Sequence, residues 1–351
     1  MVNASIKPII LAVCYAVAAP LFVLLYNVEA EAKTVFKMNH QFPASTAGSL
    51  IDKWFAEEIA KETDGEITIR IFWSDGLGGP QENLSMLKNG DIEMAAMSAG
   101  YYPDILRFHS APNSIPMGMD NICQADVIMK ALIDDIPEFN DEAERNGIRP
   151  LFFHLLNPYL LVSKKPITRF EDLTGLRIRT WGEDMPQLIK AAGAKPVNLF
   201  LTDIYEALKR NIIDAFPFSV DLVVSYNLYE LAPNITEVVM WEGPSWGVWI
   251  SLKAWKSLTD NQKKIFLTVS EKARMKNLPV TMAAEKKART LLLEKGAVFH
   301  PFPENELKKW KEKNPDFFNN WIMKQKETGK MDAAEKTVEL WKKLRIKTKC
   351  P

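Results

Sequence analysis

Side chains that could carry out catalysis are few and scattered in this chain of 351 residues. Its four histidines stand apart from one another, and the sequence has no H-E-x-x-H metal motif, G-x-S-x-G nucleophile motif, P-loop or C-x-x-C pair. The glycine cluster at 76–79 lacks a following P-loop lysine and is typical of a turn. These residues indicate no reaction, metal or cofactor, and the pattern favours a binding protein over an enzyme.

Charge and composition exclude further classes of protein. The chain has 44 Lys and Arg against 44 Asp and Glu, and this zero net charge argues against nucleic-acid binding, which needs a surplus of basic residues. With 47% hydrophobic and 25% charged residues, the composition is that of an ordinary globular protein, and the length suggests about two domains. Cys14, Cys123 and Cys350 are too few for a disulfide scaffold and lack metal-ligand spacing.

The first 32 residues have the pattern of a secretory signal peptide. Lys7 precedes an uncharged apolar run from Ile9 to Tyr26, and Ala30-Glu31-Ala32 fits the small-x-small site of signal peptidase. We expect cleavage after Ala32; the alternative is a retained membrane anchor, since the run is close to the minimum length for spanning a bilayer. After export, Cys123 and Cys350 would be in an oxidising compartment, and the sequence leaves their pairing open.

The elements that must position any site alternate between strands and helices. Ile67, Ile69 and Ile71 alternate with polar residues, as in a strand with one covered face, and an amphipathic helix precedes them. A second strand–helix series begins near residue 150, and the chain becomes largely helical after residue 255, with helices expected at 260–277 and 281–294. The order predicts an α/β fold of two lobes with a helical C-terminal region.

Several blocks of sequence, in order and at matching spacings, resemble one known family. They are Phe72–Gly79, Leu87–Met94, Lys165–Arg179, Thr202–Leu208 and Ile213–Ala215. Together they resemble the solute-binding subunits of TRAP (tripartite ATP-independent periplasmic) transporters, the DctP type. The resemblance implies a periplasmic-binding-protein-like α/β fold that closes on a small organic acid and delivers it to a membrane permease with large and small subunits.

The resemblance also suggests how the chain divides. We expect a signal peptide at 1–32, a first lobe formed by 33–157 and 245–284, and a second lobe formed by 158–244 and 285–351 with the C-terminal helices. The ligand would lie between the lobes.

Arg179 is the residue that the resemblance assigns to the ligand carboxylate. The family's arginine at this position forms a two-pronged salt bridge, and a guanidinium offers paired N–H donors that match the two oxygens of a carboxylate. Arg179 also ends an apolar strand, where open α/β sheets bind ligands. Arg177 alternates with it and should face the opposite side of the sheet. The alternative for Arg179 is an ion pair at the surface or between lobes.

Other expected pocket positions depart from the family pattern. Tyr159 stands where many members have a second arginine, and Phe218 stands where the family usually has an asparagine that binds the ligand. Trp246 occupies a place of frequent polar contacts, and Ser98 occupies one where sialic-acid-binding members have glutamate. These substitutions remove polar anchors that a second carboxylate or a buried hydroxyl would need.

We therefore expect a ligand with one carboxylate and a bulky or aromatic body. Trp181 follows Arg179 by two residues on the same strand face and is a further candidate wall, while His40 is a weaker candidate for a polar contact. The alternative for Trp181, Phe218 and Trp246 is that they only fill the core, which is usual for large apolar residues.

Three other functions remain open from the sequence. One is a receptor for C4-dicarboxylates within the same family. Another is a sensor subunit that presents its ligand to a membrane kinase. An exported enzyme is the third, because a fold by itself does not exclude catalysis.

Overall fold

The computed structural model describes residues 34–350, and the expected signal peptide lies outside these residues. The described chain forms two mixed β-sheets with helices packed on them, which confirms the α/β class and the helical C-terminal region. Within the described residues, no helix has the length and apolar character needed to cross a membrane.

Eleven strands are present in the described residues. They are β1 Thr34–His40, β2 Ile67–Phe72, β3 Met94–Met97, β4 Ile148–Leu155, β5 Tyr159–Ser163, β6 Arg177–Thr180, β7 Lys195–Asn198, β8 Ala215–Phe218, β9 Asn234–Trp241, β10 Pro244–Ser251 and β11 Val298–Pro301. The first sheet has the order β2-β1-β3-β10-β4, and the second has the order β11-β9-β5-β8-β6-β7. Strands β1, β2 and β3 are parallel, as are β6, β7 and β8, so each sheet has an edge where carboxyl ends meet.

Thirteen α-helices of the described residues surround the sheets. They are α1 Ala47–Glu62, α2 Asn83–Asn89, α3 Ala111–Ser114, α4 Ile122–Asp135, α5 Pro137–Arg145, α6 Met185–Ala191, α7 Ile204–Lys209, α8 Val220–Ser225, α9 Leu252–Ser257, α10 Asp260–Glu294, α11 Glu304–Lys313, α12 Phe317–Lys326 and α13 Met331–Lys347. The chain passes from the first sheet to the second between β4 and β5, returns between β9 and β10, and passes to the second sheet again between β10 and β11.

Helix α10 differs from the sequence-based expectation of two helices. It is one helix of 35 residues that continues through Pro279, although proline usually interrupts a helix. A capping box of Thr259 and Gln262 begins the helix, and its buried face packs on α1, β4 and α8. Tertiary packing along this face therefore outweighs the local cost of the proline.

A disulfide connects the C-terminus to the body of the protein. Cys123 in α4 is bonded to Cys350, which follows α13, and their Cα atoms are 5.4 Å apart. Helix α13 also packs directly against α4, and its Arg345 contacts Asp120 with a guanidinium–carboxylate distance of 2.7 Å. The C-terminal helix is thus fixed by covalent, apolar and ionic contacts.

Candidate functional site

Arg179 is a buried cation at the end of β6. Its side chain is only 3% exposed, whereas Arg177 lies on the other side of the strand and binds Asp214 at 2.7 Å, as the alternation predicts. The Arg179 Nε donates a hydrogen bond to the backbone oxygen of Leu199 at 3.1 Å. Within residues 34–350, no carboxylate oxygen lies within 4.0 Å of its guanidinium. The outer nitrogens of this guanidinium are therefore available to an anion.

A small cavity of about 30 Å³ surrounds this guanidinium between the two sheets. The first sheet and its loops contribute Gln41, Ser98, Tyr101 and Asn113, and the second contributes Tyr159, Arg179, Trp181, Leu201 and Trp241. Three of these residues directly follow the carboxyl ends of strands: Gln41 follows β1, Ser98 follows β3 and Trp181 follows β6. The cavity thus lies where α/β sheets bind ligands.

Aromatic rings enclose the charged group. The guanidinium carbon of Arg179 is 4.6 Å from the centre of the Trp181 ring. The Tyr159 ring packs against the rings of Trp181 and Trp241, with centroid distances of 5.7 and 5.1 Å. Burial lowers the pKa of Arg179, but an arginine stays charged in proteins. A charge in a site with little water interacts strongly with any anion that enters.

The polar side chains of the cavity are oriented by hydrogen bonds among themselves. Asn113 Oδ1 accepts from the Trp181 Nε1–H at 2.9 Å, and Gln41 Oε1 accepts from the Ser98 backbone N–H at 2.9 Å. Each amide oxygen therefore has a donor within the described chain, which leaves the amide nitrogen on the opposite side of the same group. Burial raises the pKa of Tyr159 above its ordinary value, so its hydroxyl stays protonated and can donate. The cavity therefore presents mostly donors.

The sequence-predicted residues divide between this cavity and other places. Tyr159, Trp181 and Ser98 line the cavity with Arg179. Phe218 is fully buried behind it, with its ring 5.4 Å from that of Tyr159. Trp246 and His40 are not among the cavity residues and belong to a separate buried cluster.

That cluster is centred on Asp52 of α1. The Asp52 carboxylate accepts from His40 Nε2–H at 2.8 Å and from His154 Nε2–H at 2.7 Å, and all three side chains are 0% exposed. The other ring nitrogens have partners as well: His40 Nδ1 accepts from the backbone N–H of Phe42, and His154 Nδ1 contacts the amide of Asn277.

Trp246 covers this cluster, with its ring stacked 3.8 Å from that of His154. Burial by itself would raise the pKa of Asp52, but the bonds and charges of His154 and His40 outweigh it and hold that pKa below its usual value. Burial lowers the pKa of His40 despite its bond to Asp52. The cluster joins α1, β1 and β4, and the polar atoms of Asp52, His40 and His154 all have partners within the described chain.

Sequence reasoning missed Gln41, Tyr101, Asn113 and Trp241. Gln41 directly follows β1, and Tyr101 follows β3 by four residues, so a search of all strand ends would have found them. Asn113 lies in the short helix α3, which has no periodic pattern, and only tertiary structure brings it to the cavity. Trp241 ends β9, which runs antiparallel to β5.

Larger cavities lie elsewhere in the described chain, and two of them exceed 500 Å³. One of about 510 Å³ adjoins the Arg179 cavity and shares Tyr101 and Trp181 with it. Another of about 530 Å³ lies along β4 between α4 and α10, away from Arg179. Its Arg274 forms ion pairs with Asp126 at 2.6 Å and with Glu271, so the charge of this guanidinium is already paired within the protein.

A family of known proteins matches most of this chain. Residues 38–324 match the DctP family, described as "Bacterial extracellular solute-binding protein, family 7". The chain therefore belongs to this family of solute-binding proteins, whose members bind their solutes and do not act as enzymes on them.

Relatives and solved structures extend the comparison. The ectoine-binding periplasmic protein TeaA of Halomonas elongata is 25% identical over 179 residues, which cover 50% of this chain and 52% of TeaA. A TRAP periplasmic solute-binding protein of Desulfovibrio salexigens with bound orotic acid has a TM-score of 0.79 at 17% identity, covering 89% of this chain and 100% of that one. Another from Haemophilus influenzae, with bound L-gulonate, has a TM-score of 0.78 at 20% identity, with 89% and 100% covered. The fold is that of the TRAP receptors.

Proposed function

We propose that this protein is the periplasmic receptor of a TRAP transporter and captures an organic monocarboxylate on Arg179. The observation that carries the proposal is a buried guanidinium that has no carboxylate partner among residues 34–350. An isolated buried charge is costly, and proteins retain such a group where a ligand completes it. A carboxylate matches the paired N–H donors of arginine.

One carboxylate is favoured over two because the cavity has one cation. Arg179 is the only Lys or Arg among the residues that line it, so a second carboxylate would be buried without a counter-charge. The acids named for the related structures, such as orotic acid, L-gulonate and pyroglutamic acid, also carry one carboxyl group each. A C4-dicarboxylate receptor is the rival that a binding panel must test.

The body of the ligand is expected to be bulky or aromatic. Four aromatic side chains, Tyr101, Tyr159, Trp181 and Trp241, line the Arg179 cavity. The adjoining cavity of about 510 Å³ begins at Tyr101 and Trp181 and offers room beyond the carboxylate. Aromatic walls suit an apolar ring because they bury its surface and stack on it.

Delivery to a permease completes the proposal. Export through a cleaved signal peptide would bring residues 33–351 to the periplasm, where the two sheets would form the cores of lobes 33–157 with 245–284 and 158–244 with 285–351. The chain crosses between the sheets at only a few places, which suits a hinge between two bodies. The loaded receptor would then present its ligand to the large and small permease subunits.

Paired arginine variants test the carboxylate site. Titration calorimetry with aryl monocarboxylates should show that Arg179→Ala weakens binding at least 100-fold, because a buried charge-assisted pair is lost. Arg177→Ala is the matched control on the same strand, since its side chain binds Asp214 on the other face, and it should bind like wild type. Wild-type affinity in Arg179→Ala would refute the proposal, and preference for succinate or malate would favour the dicarboxylate rival.

A further inference from the structure

The C-terminal end of the chain has a concentration of positive charge that ligand binding does not explain. After Glu339 the sequence has four Lys and one Arg and no Asp or Glu, whereas the rest of the chain has five more acidic than basic residues. Such asymmetry is typical of proteins that bind a surface of opposite charge. We propose that this end of the protein docks on an anionic phospholipid membrane.

A basic patch of lysines lies on the outer face of α13 and just beyond its end. Their side chains are exposed, and among the described residues none of them has a carboxylate oxygen within 4.0 Å, so their charges face solvent. Arg345 does not share this property, since its guanidinium is bonded to Asp120 at 2.7 Å. The patch consists of Lys342, Lys343, Lys347 and Lys349.

An apolar side chain lies within the basic patch. Ile346 is 80% exposed, although isoleucine is usually buried. Residues three and four apart on a helix are neighbours, so Ile346 lies beside Lys343 and Lys342. Lysines combined with an exposed aliphatic group match a membrane interface, where the ammonium groups meet lipid phosphates and the aliphatic group enters the edge of the acyl region.

The inner face of α13 holds the basic patch in place. Trp341 is fully buried, and its Nε1–H donates to the backbone oxygen of Gly118 at 3.1 Å. Gln124 Nε2 donates to the backbone oxygen of Arg345 at 3.0 Å, and the disulfide fixes the segment that follows the helix. The backbone that carries the lysines is therefore already ordered, and docking does not have to order it.

Two other roles for these lysines lead to different expectations. Lysines in the last turn of a helix interact favourably with the helix dipole, but Lys349 lies beyond the end of α13 and gains nothing there. An acidic face of a partner protein would also attract them. Protein interfaces are depleted in lysine, however, whereas clusters of lysine are typical of proteins that bind anionic lipids.

The inference adds a docking surface to the proposed receptor. It rests on the proposed export of the chain, since only an exported receptor meets the periplasmic surface of the membrane. Docking would hold the receptor close to the surface in which its permease lies, and so raise its effective concentration there. The ligand cavity around Arg179 takes no part in this contact.

Sedimentation with lipid vesicles tests the docking surface. The protein, purified after export, should bind vesicles of phosphatidylcholine that contain about 30% phosphatidylglycerol, and should not bind vesicles of phosphatidylcholine alone. Raising NaCl from about 20 to about 300 mM should weaken this binding about 10-fold or more, because salt screens exposed charges. Failure of the wild-type protein to bind the anionic vesicles at low salt would overturn the inference.

Matched triple variants separate the basic patch from net charge. Combining Lys343→Gln, Lys347→Gln and Lys349→Gln should weaken vesicle binding about 100-fold, since each lysine at an anionic surface contributes about 5-fold. The control makes the same change at three exposed lysines outside the patch: Lys88, Lys195 and Lys256. The control should bind vesicles like wild type, and an equal loss in both variants would overturn the inference.

Two further variants distinguish the contributions of charge and of the apolar group. Replacing the same three lysines with arginine keeps the charge and should keep vesicle binding within about 3-fold. Ile346→Ser should weaken vesicle binding about 3-fold at low salt and at high salt alike, because salt does not screen apolar burial. Unchanged binding in Ile346→Ser would remove this residue from the docking surface.

The remaining outcomes separate docking from the other roles and from the proposed function. A lysine-to-glutamine triple variant that melts at a lower temperature but binds vesicles like wild type would assign the lysines to helix stability alone. If that variant instead loses binding to the permease in phosphatidylcholine vesicles, the partner is a protein and the lipid inference fails. Failure of the carboxylate proposal would appear in the calorimetry of Arg179→Ala, a variant that should bind anionic vesicles like wild type.

Discussion

Arg179 and Asp52 are both buried charges, but their surroundings differ. Asp52 is 0% exposed and has a histidine N–H on each carboxylate oxygen, at 2.8 and 2.7 Å. Arg179 is 3% exposed and has one hydrogen bond within the described chain, from Nε to a backbone oxygen. The fold supplies hydrogen-bond donors to the Asp52 carboxylate. For Arg179, our proposal is that a ligand supplies the partner.

We propose that this difference separates a structural cluster from a binding site. Both regions contain aromatic rings, titratable groups and strand ends, so residue type alone does not distinguish them. The unused donors at Arg179 support the proposed ligand site, because buried polar groups in native proteins are usually paired. At Asp52 the pairing is internal, and the expected consequence of a change is loss of stability.

The largest expected effect comes from breaking the Asp52 cluster. Asp52→Asn should lower the free energy of unfolding by about 3–5 kcal/mol, because its NH₂ group would face a histidine N–H and the buried pairing would be lost. Urea denaturation at pH 7 measures the change. Glu237→Gln is the control, since its pair with Arg289 is partly exposed and should be worth about 1 kcal/mol or less. If both substitutions lowered the free energy of unfolding by a similar amount, the buried Asp52 cluster would stabilise the fold no more than a partly exposed ion pair does.

A smaller effect of opposite sign is expected at Arg179. Without ligand, Arg179→Met should raise the free energy of unfolding by about 1–3 kcal/mol, because it removes a buried cation that has no counter-charge. The same substitution at Arg274, which is paired with Asp126 and Glu271, should lower it. Thermal unfolding of the ligand-free proteins measures both changes. A loss of stability in Arg179→Met would mean that the fold, and not a ligand, uses this charge.

The smallest expected effect is pH-dependent and concerns Asp75, a partly buried carboxyl with one oxygen unpartnered. Desolvation raises its pKa from 3.8 to about 6. The folded chain therefore binds the proton more tightly than the unfolded chain, and this group's contribution to stability falls as pH rises from about 4 to 6.

Asp75→Asn should remove this dependence and stabilise the protein at pH 7 by about 1 kcal/mol or less, because solvent screens the partly exposed group. Asparagine also tolerates the positive φ of 58° at this position. Urea denaturation of both proteins at pH 4, 5, 6 and 7 measures the difference. A constant difference at every pH would contradict the assigned titration.

The opposite sign is expected for the Asp52 cluster over the same range. The pKa of Asp52 and the pKa of His40 are both held below their ordinary values. The unfolded chain therefore takes up protons first on acidification, and the stability from this cluster decreases below about pH 6.5. As the pH falls, the contribution of Asp75 to the free energy of unfolding therefore increases, whereas the contribution of the Asp52 cluster decreases.

The sequence was sufficient for the parts of the fold and site that depend on local pattern. Period-two alternation separates Arg177 from Arg179, and the motif blocks predict the family and the α/β class. The division at Pro279 was wrong because packing along α10 outweighs a local helix breaker. Asn113 could not be predicted, since only the fold of a segment without periodicity brings it to Arg179.

His40 and Trp246 show a second limit of sequence reasoning. His40 is the last residue of β1, and Trp246 lies near the start of β10. Ligand contacts are often found near the ends of strands. The structure gives His40 a partner in Asp52 and gives Trp246 a stacking partner in His154. A partner that lies 102 residues away in the chain, as Asp52 does from His154, is invisible to spacing and motif.

The disulfide between Cys123 and Cys350 gives the chain an unusual covalent connectivity. Its cysteines are separated by 227 residues, so the bond closes most of the described chain into a single ring. The ring includes strands from both sheets and the long helix α10. A single proteolytic cut in any exposed loop of the ring would leave the two fragments joined, and they would come apart only after reduction. In an environment that is both oxidising and rich in proteases, one cut would therefore not release the C-terminal helix.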